Sequence, residues 1–218
     1  MTERLIEAFR RETGHEVTAD FGAVGAMKAL VTGGQPVDVI ILTLSLIEEL
    51  AAASWVRPGS RVDLGRVATG VAVRAGTPVP DISSADVLRV RILTATRIVF
   101  PDPAFATAGK VVMSLLGKLG IVHEVSNRIQ VFPNGYAAMK WLAQTHGTGG
   151  LGITQVTEIL PNAGVSYAGP LPEPFQMKAV YSAAVAAHAP QLALAEDFIA
   201  RFKAAGARSL LIEAGYEV

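Results

Sequence analysis

Residues 97–120, RIVFPDPAFATAGKVVMSLLGKLG, decide how the rest of the chain is read. Residues 97–100 carry a short branched and aromatic run, the pattern of a buried strand. Pro101, Asp102 and Pro103 stop it, because proline lacks a ladder N–H and fixes its own φ. Small residues fill 104–109. Val111, Val112, Leu115, Leu116 and Leu119 then recur near a 3.6 period, which predicts a helix with Thr107 as its candidate N-cap. A strand, a small-residue loop and a helix start together make an anion seat. Backbone N–H groups point outward there, and the helix dipole favours negative charge. An ordinary strand-to-helix turn reads the same way, so the stretch alone leaves both meanings open.

Composition narrows the classes. The chain has 218 residues, half of them hydrophobic and 17% charged, enough for one large domain or two lobes and too apolar for disorder. Nineteen basic and 19 acidic residues give a net charge of +0, so no electrostatic footprint for nucleic acid is present. Absence of cysteine excludes disulfides and thiolate metal sites. His15, His123, His146 and His188 are scattered, with no HxxxH or HExxH pair, so neither a metal nor another cofactor is expected. No apolar run reaches the roughly 20 residues of a membrane span, and residues 1–17 read as a mixed-charge amphipathic helix rather than a secretory signal.

In order, the patterns predict a helix at 2–13 ended by Gly14, a strand at 15–21, a turn at 22–25 and a helix at 26–31. A doubly covered strand follows at 37–42, with Asp38 in need of a partner, then a helix at 46–53 after the candidate caps Thr43 and Ser45. This rhythm implies a parallel sheet with crossover helices. Further strands are expected at 67–74, 128–132, 151–153, 165–168 and 180–187. Helices are expected at 84–93, 135–144, 154–160, from Pro190 to 203, and at 208–213.

The series ETGHEV…FGAVGAMKAL, PVDVIILTLSLIEEL, RVATGVAVRAG, the 97–120 stretch, GGLGITQVTEIL and the closing FIARFKAAGARSLLIEAGYEV resembles the periplasmic solute-binding proteins of the molybdate-binding type, receptors of ABC importers. The resemblance covers nearly the whole chain. It implies an α/β fold of two lobes, each a mostly parallel sheet flanked by helices, joined by two crossing strands as a hinge, with the ligand in the cleft. The lobes would be 1–68 with 182–218, and 69–181. In that family a strand and a serine-bearing loop precede the first helix. Here residue 1 already lies in the helix, so an upstream segment with any signal peptide is either missing from this sequence or lacking in the protein. Periplasmic location follows from the resemblance, and cytoplasmic location if Met1 is the true start. The chain also departs at GAVGA (22–26) and at Thr154 and Gln155, where the family presents serine and tyrosine hydroxyls.

Ligand candidates lie where strands hand over to helices. They are Gly22, Ala23, Val24 and Gly25; Thr43; Thr107, Ala108 and Gly109; Tyr136; and Thr154 with Gln155. Arg74 joins them as a bidentate partner for a carboxylate. Loss of the oxyanion hydroxyls favours a small organic acid over molybdate. The expected partners are a small anionic ligand and an ABC permease, with no membrane insertion. The rival readings are an isomerase of a small carboxylic acid, with Asp102, His146 or Glu158 as base, and an oxyanion binder or cytoplasmic ligand sensor.

Overall fold

The computed structural model describes residues 2–218, apart from the side chain of Ala205; Met1, expected in the first helix and the first lobe, lies outside the described residues. The helices and strands are α1 (Thr2–Thr13), α2 (Val24–Thr32), β1 (Val39–Thr43), α3 (Leu44–Ala52), β2 (Val62–Arg74), α4 (Ala85–Thr94), β3 (Arg97–Pro101), α5 (Thr107–Lys118), α6 (Val122–Val125) and β4 (Ile129–Phe132). They continue with α7 (Gly135–Gln144), β5 (Gly150–Gln155), α8 (Val156–Ile159), β6 (Val165–Pro170), β7 (Lys178–Val185), α9 (Leu192–Ala200), α10 (Ala205–Glu213) and β8 (Tyr216–Glu217). Two compact units result: Met1–Arg66 with Ala179–Val218, and Val67–Lys178.

In the first unit β1 pairs antiparallel with β7, from Val39 opposite Val185 to Thr43 opposite Tyr181. The two-residue period of a strand sends Ile40 and Leu42 into one core with Ile47 and Leu50, and Val39 and Ile41 against another with Phe9 and Phe198. Apart from Asp38, residues 37–42 therefore read as a continuous apolar run, because β1 is covered on both faces. Phe9 of α1 meets Phe198 edge-on at 5.3 Å, and the Arg201 guanidinium lies 4.8 Å over the Phe9 ring. Gly14 closes α1 at φ 73°.

In the second unit β3 runs parallel to both β4 and β5, and β2 runs antiparallel to β5 and β6. Ile98 and Phe100 face α4 and α5 through Leu88, Ile92, Val112, Leu115 and Leu116, whereas Val99 faces α7 through Ala138, Met139 and Leu142. Each fully buried side chain of this size contributes roughly 2 kcal/mol. The sandwich fixes where α5 and α7 begin, at the carboxyl ends of β3 and β4.

Several expectations are corrected. Residues 15–21 form no strand, since His15, Glu16, Thr18, Ala19 and Asp20 are exposed and only Val17 touches a core. The parallel rhythm expected for the first segment fails with it, because β1 takes an antiparallel partner. Strand β2 begins at Val62, not 67. Gly65, at φ 138°, lets the end of the chain approach, and a Cβ there would sit 2.7 Å from the Glu217 carbonyl. Helix α9 starts at Leu192 behind Gln191, so Pro190 is not its first residue.

Candidate functional site

After β3 the chain turns on Asp102. Its Oδ1 accepts from the Ala104 N–H at 2.8 Å and its carbonyl from the Ala106 N–H at 2.9 Å. This candidate base is a loop organiser. Helix α5 starts at Thr107, and the N-cap is Ala106, which has no side chain to offer. Thr107 is therefore the first helical residue and not the expected cap. A Cβ on Gly109 would lie 2.2 Å from the Pro101 carbonyl oxygen and 2.7 Å from the Pro103 nitrogen. The glycine presses the helix start onto the proline loop, and among the described residues no side-chain cap accepts from the first-turn N–H groups of α5.

Helix α7 starts differently. The Asn134 side chain accepts from the Ala137 N–H at 2.8 Å. The Glu158 carboxylate accepts from the Gly135 N–H at 3.0 Å and from the Thr154 hydroxyl at 2.5 Å. A Cβ on Gly135 would fall 2.0 Å from Thr154 Oγ1 and 2.1 Å from Glu158 Oε2, so only glycine leaves room for the contact. Burial pushes the Glu158 pKa up from its ordinary value. The Thr154 hydroxyl and the N–H groups of Gly135, Tyr136 and Gln155 pull it back without cancelling that effect.

The sequence candidates separate accordingly. Thr154 and Gln155 are buried, at 0% and 3% exposure, and end strand β5 opposite Gly70 and Thr69; they do not open the helix expected at 154–160, which runs only over Val156–Ile159. The Thr154 hydroxyl is already committed to Glu158. Tyr136 is 51% exposed. Arg74 does not join this group. Ala72 faces Gly152, and Arg97 faces Gly150, so Arg74 sits beside the start of β5. That places it roughly 15 Å along the strand from Gln155. There it shares a small cavity of about 20 Å³ with Thr96, Arg97, His146 and Gly149, and its Nε is buried without a partner. His146 therefore also lies away from the α5 and α7 starts. Among the described residues, no group of three or more His, Cys, Asp or Glu is placed to hold a metal.

In the first unit, Ala23 is the N-cap of α2, Val24 opens it with Gly25 in its first turn, and no side chain caps it. The space at Gly22 is taken by the flexible end of Met27, 2.7 Å from a built Cβ. Thr43 is the N-cap of α3 as expected, but its hydroxyl meets Ser45 Oγ at 3.3 Å and no backbone N–H. Sequence reasoning missed the roles of Gly135 and Asn134 and took Glu158 only as a base. The four-residue step from Thr154 to Glu158, across a strand end into a helix turn, was the available signal.

Among solved structures, the chain is similar to the periplasmic molybdate-binding protein of Azotobacter vinelandii, with a TM-score of 0.81 at 22% identity over 100% of this chain and 94% of that one. It is also similar to the sulfate-binding protein of Mycobacterium tuberculosis, at 0.76 and 20% over 99% and 81%, and to Peb3 with L-phospholactate bound, at 0.71 and 15% over 100% and 94%. At these identities the likeness shows the fold. A curated relative, aconitate isomerase from a Pseudomonas species, is 28% identical over 153 residues, which are 69% of this chain and 56% of that enzyme. Residues 1–217 match the family described as "Bacterial extracellular solute-binding protein", and with the two-lobed fold of its molybdate-binding type the chain belongs to that family.

Proposed function

We propose that this protein is a receptor that captures a small organic anion, a carboxylate, for an ABC importer, and that it works in the periplasm. The carrying observation is the open start of α5. Its first-turn N–H groups have no side-chain acceptor, small residues surround them, and Lys110 follows within a turn. In the first unit α2 and α3 also begin without a side-chain cap, at Ala23 and Thr43. The described helices contain none long and apolar enough to cross a membrane, in keeping with a receptor that hands its ligand to a separate permease. Isothermal titration calorimetry with a panel of mono-, di- and tricarboxylates, molybdate, tungstate and sulfate tests the reading. We expect a carboxylate to bind most tightly; tight molybdate binding with no response to carboxylates would overturn it.

A second reading is favoured by the aconitate isomerase relative. On that reading the bound acid also exchanges a proton, with the Glu158 carboxyl as the base, because its raised pKa suits proton transfer nearer neutrality. Solvent deuterium appearing in a bound unsaturated acid, followed by NMR, would establish it.

A further inference from the structure

We propose that the second unit carries a phosphate site of its own, a pocket at the start of β5 where Arg74 and Arg97 hold one phosphoryl group between them. It does not rest on the carboxylate reading, because it lies at the other end of β5 from the starts of α5 and α7. Strand register builds the pocket. Arg97 of β3 is opposite Gly150 of β5. On the far side of β5, Ala72 is opposite Gly152, so Arg74, two residues on, also comes level with Gly150. Residues two apart in a strand share a face. Ala72 and Val99 both pack in the core against α7, so Arg74 and Arg97 lie on that same face. The row across three adjacent strands is arginine, glycine, arginine. At about 4.8 Å per strand the two arginine Cα atoms are roughly 10 Å apart. Gly150 keeps the gap between them open, since a Cβ there would stand 3.1 Å from Leu142 Cδ1. Trp141, Thr145 and His146 at the end of α7, with the loop 147–149, wall the gap.

The pocket's electrostatics ask for an anion. The Arg74 Nε is buried without a hydrogen-bond partner, and among the described residues neither guanidinium forms an ion pair. No aspartate or glutamate is among the described residues that line the cavity. A buried donor costs stability until something accepts from it, and two like charges at this spacing repel. The end of α7 does not draw on them, because the Trp141 carbonyl already accepts from the Thr145 N–H and hydroxyl, both at 3.0 Å. The enclosed space is about 20 Å³, room for one oxygen-sized atom. A water there would satisfy Nε and leave both charges unpaired. A carboxylate brings one charge and a flat pair of oxygens, which match one guanidinium fork. A phosphate brings close to two charges and oxygens on every side, so it can bridge both forks. One of its oxygens fills the pocket and the rest of the group faces the mouth.

The test is proton–nitrogen correlation NMR of the arginine Nε–H groups, with inorganic phosphate titrated into the full chain at constant pH and ionic strength. The Arg74 Nε–H resonance, assigned by its loss in Arg74→Lys, should move saturably. Arg97 is exposed, so Arg97→Gln should keep the fold, which circular dichroism checks. That variant should weaken the Arg74 response about tenfold, the loss of one hydrogen bond to a charged group. Saturation with a carboxylate that binds at the helix starts should leave the phosphate response unchanged. An Arg74 resonance that phosphate does not move would make water the occupant and overturn the proposal. An equal response to acetate would overturn it, and so would a response that folded Arg97→Gln leaves intact or that the carboxylate competes away. Glycerol phosphate, titrated in parallel, identifies the source. Tighter binding than inorganic phosphate assigns the pocket to the end group of a phosphomonoester, weaker binding assigns it to free phosphate, and either supports the site. If Arg74 responds while no organic acid binds the chain, the phosphate site stands and the carboxylate reading falls.

Discussion

Helices α5 and α7 start from neighbouring parallel strands, β3 and β4, and both open on small residues, yet one start is closed and the other open. At α7 the Asn134 side chain and the Glu158 carboxyl group take the first-turn N–H groups, so its dipole faces acceptors supplied by the fold. At α5 the cap position holds Ala106, and the nearest acceptor side chain, Asp102, is turned back onto its own loop. Local geometry alone therefore does not make a binding site. A helix start becomes one when the fold withholds the acceptor it supplies elsewhere. Unsatisfied N–H groups cost stability until water or a ligand meets them, which is the kind of local cost a binding site carries.

The largest expected effect comes from breaking the open side. In Gly109→Val a Cβ would collide with backbone, the Pro101 carbonyl oxygen at 2.2 Å and Pro103 at 2.7 Å, and neither can swing away as a side chain would. We expect a loss of about 3 kcal/mol, the upper end for overpacking, together with loss of carboxylate binding. Thermal unfolding and calorimetry on the same sample measure both. An unchanged melting temperature would mean that α5 does not sit on the proline loop as described.

How much of this was legible before the structure depends on what kind of signal each part leaves. The β3–α5 unit was readable because a continuous apolar run, Ile98 to Phe100, gives way to a 3.6 period after a pair of prolines. Helix α7 was readable to the residue, 135–144, because its apolar spacing is uninterrupted. Asp38 was seen to need a partner and finds one in the Gln191 N–H at 2.7 Å, 153 positions away, a contact that sequence spacing cannot indicate. The first five residues of β2 were hidden because Asp63, Gly65 and Arg66 interrupt the apolar pattern. Their support is tertiary: Ser182 Oγ donates to Asp63 Oδ1 at 2.7 Å, and the chain end comes close to Gly65. At the site, the candidates chosen by position along the chain lie at the starts of α2, α3 and α5. Arg74 lies apart from them, at the other end of β5 from Gln155, because strand register, not sequence order, decides which end of a sheet a residue occupies.

A smaller effect sharpens the closed side. Asn134→Ala removes the acceptor for the Ala137 N–H, and a lost side-chain cap costs about 1 kcal/mol. In a chain of this size that lowers the melting temperature by roughly 2–4 °C. Because this donor lies in the closed start, ligand affinity should change little. A large loss of carboxylate affinity in a folded Asn134→Ala protein would place the ligand at α7 and invert the comparison.

Thr107→Ala carries the smallest stability effect and the sharpest distinction. As the first helical residue, with Ala106 in the cap position, Thr107 makes no capping bond, and alanine is the better helix former. Stability should therefore stay within about 0.5 kcal/mol of the wild-type chain. If the hydroxyl instead serves a bound carboxylate, its removal takes away a hydrogen bond to a charged group, which corresponds to roughly tenfold weaker binding. The paired outcome, affinity down and melting temperature unmoved, is what an open helix start requires. The reverse pair, a cap-sized drop in melting temperature with affinity intact, would make Thr107 a structural residue and leave α5 no more available to a ligand than α7.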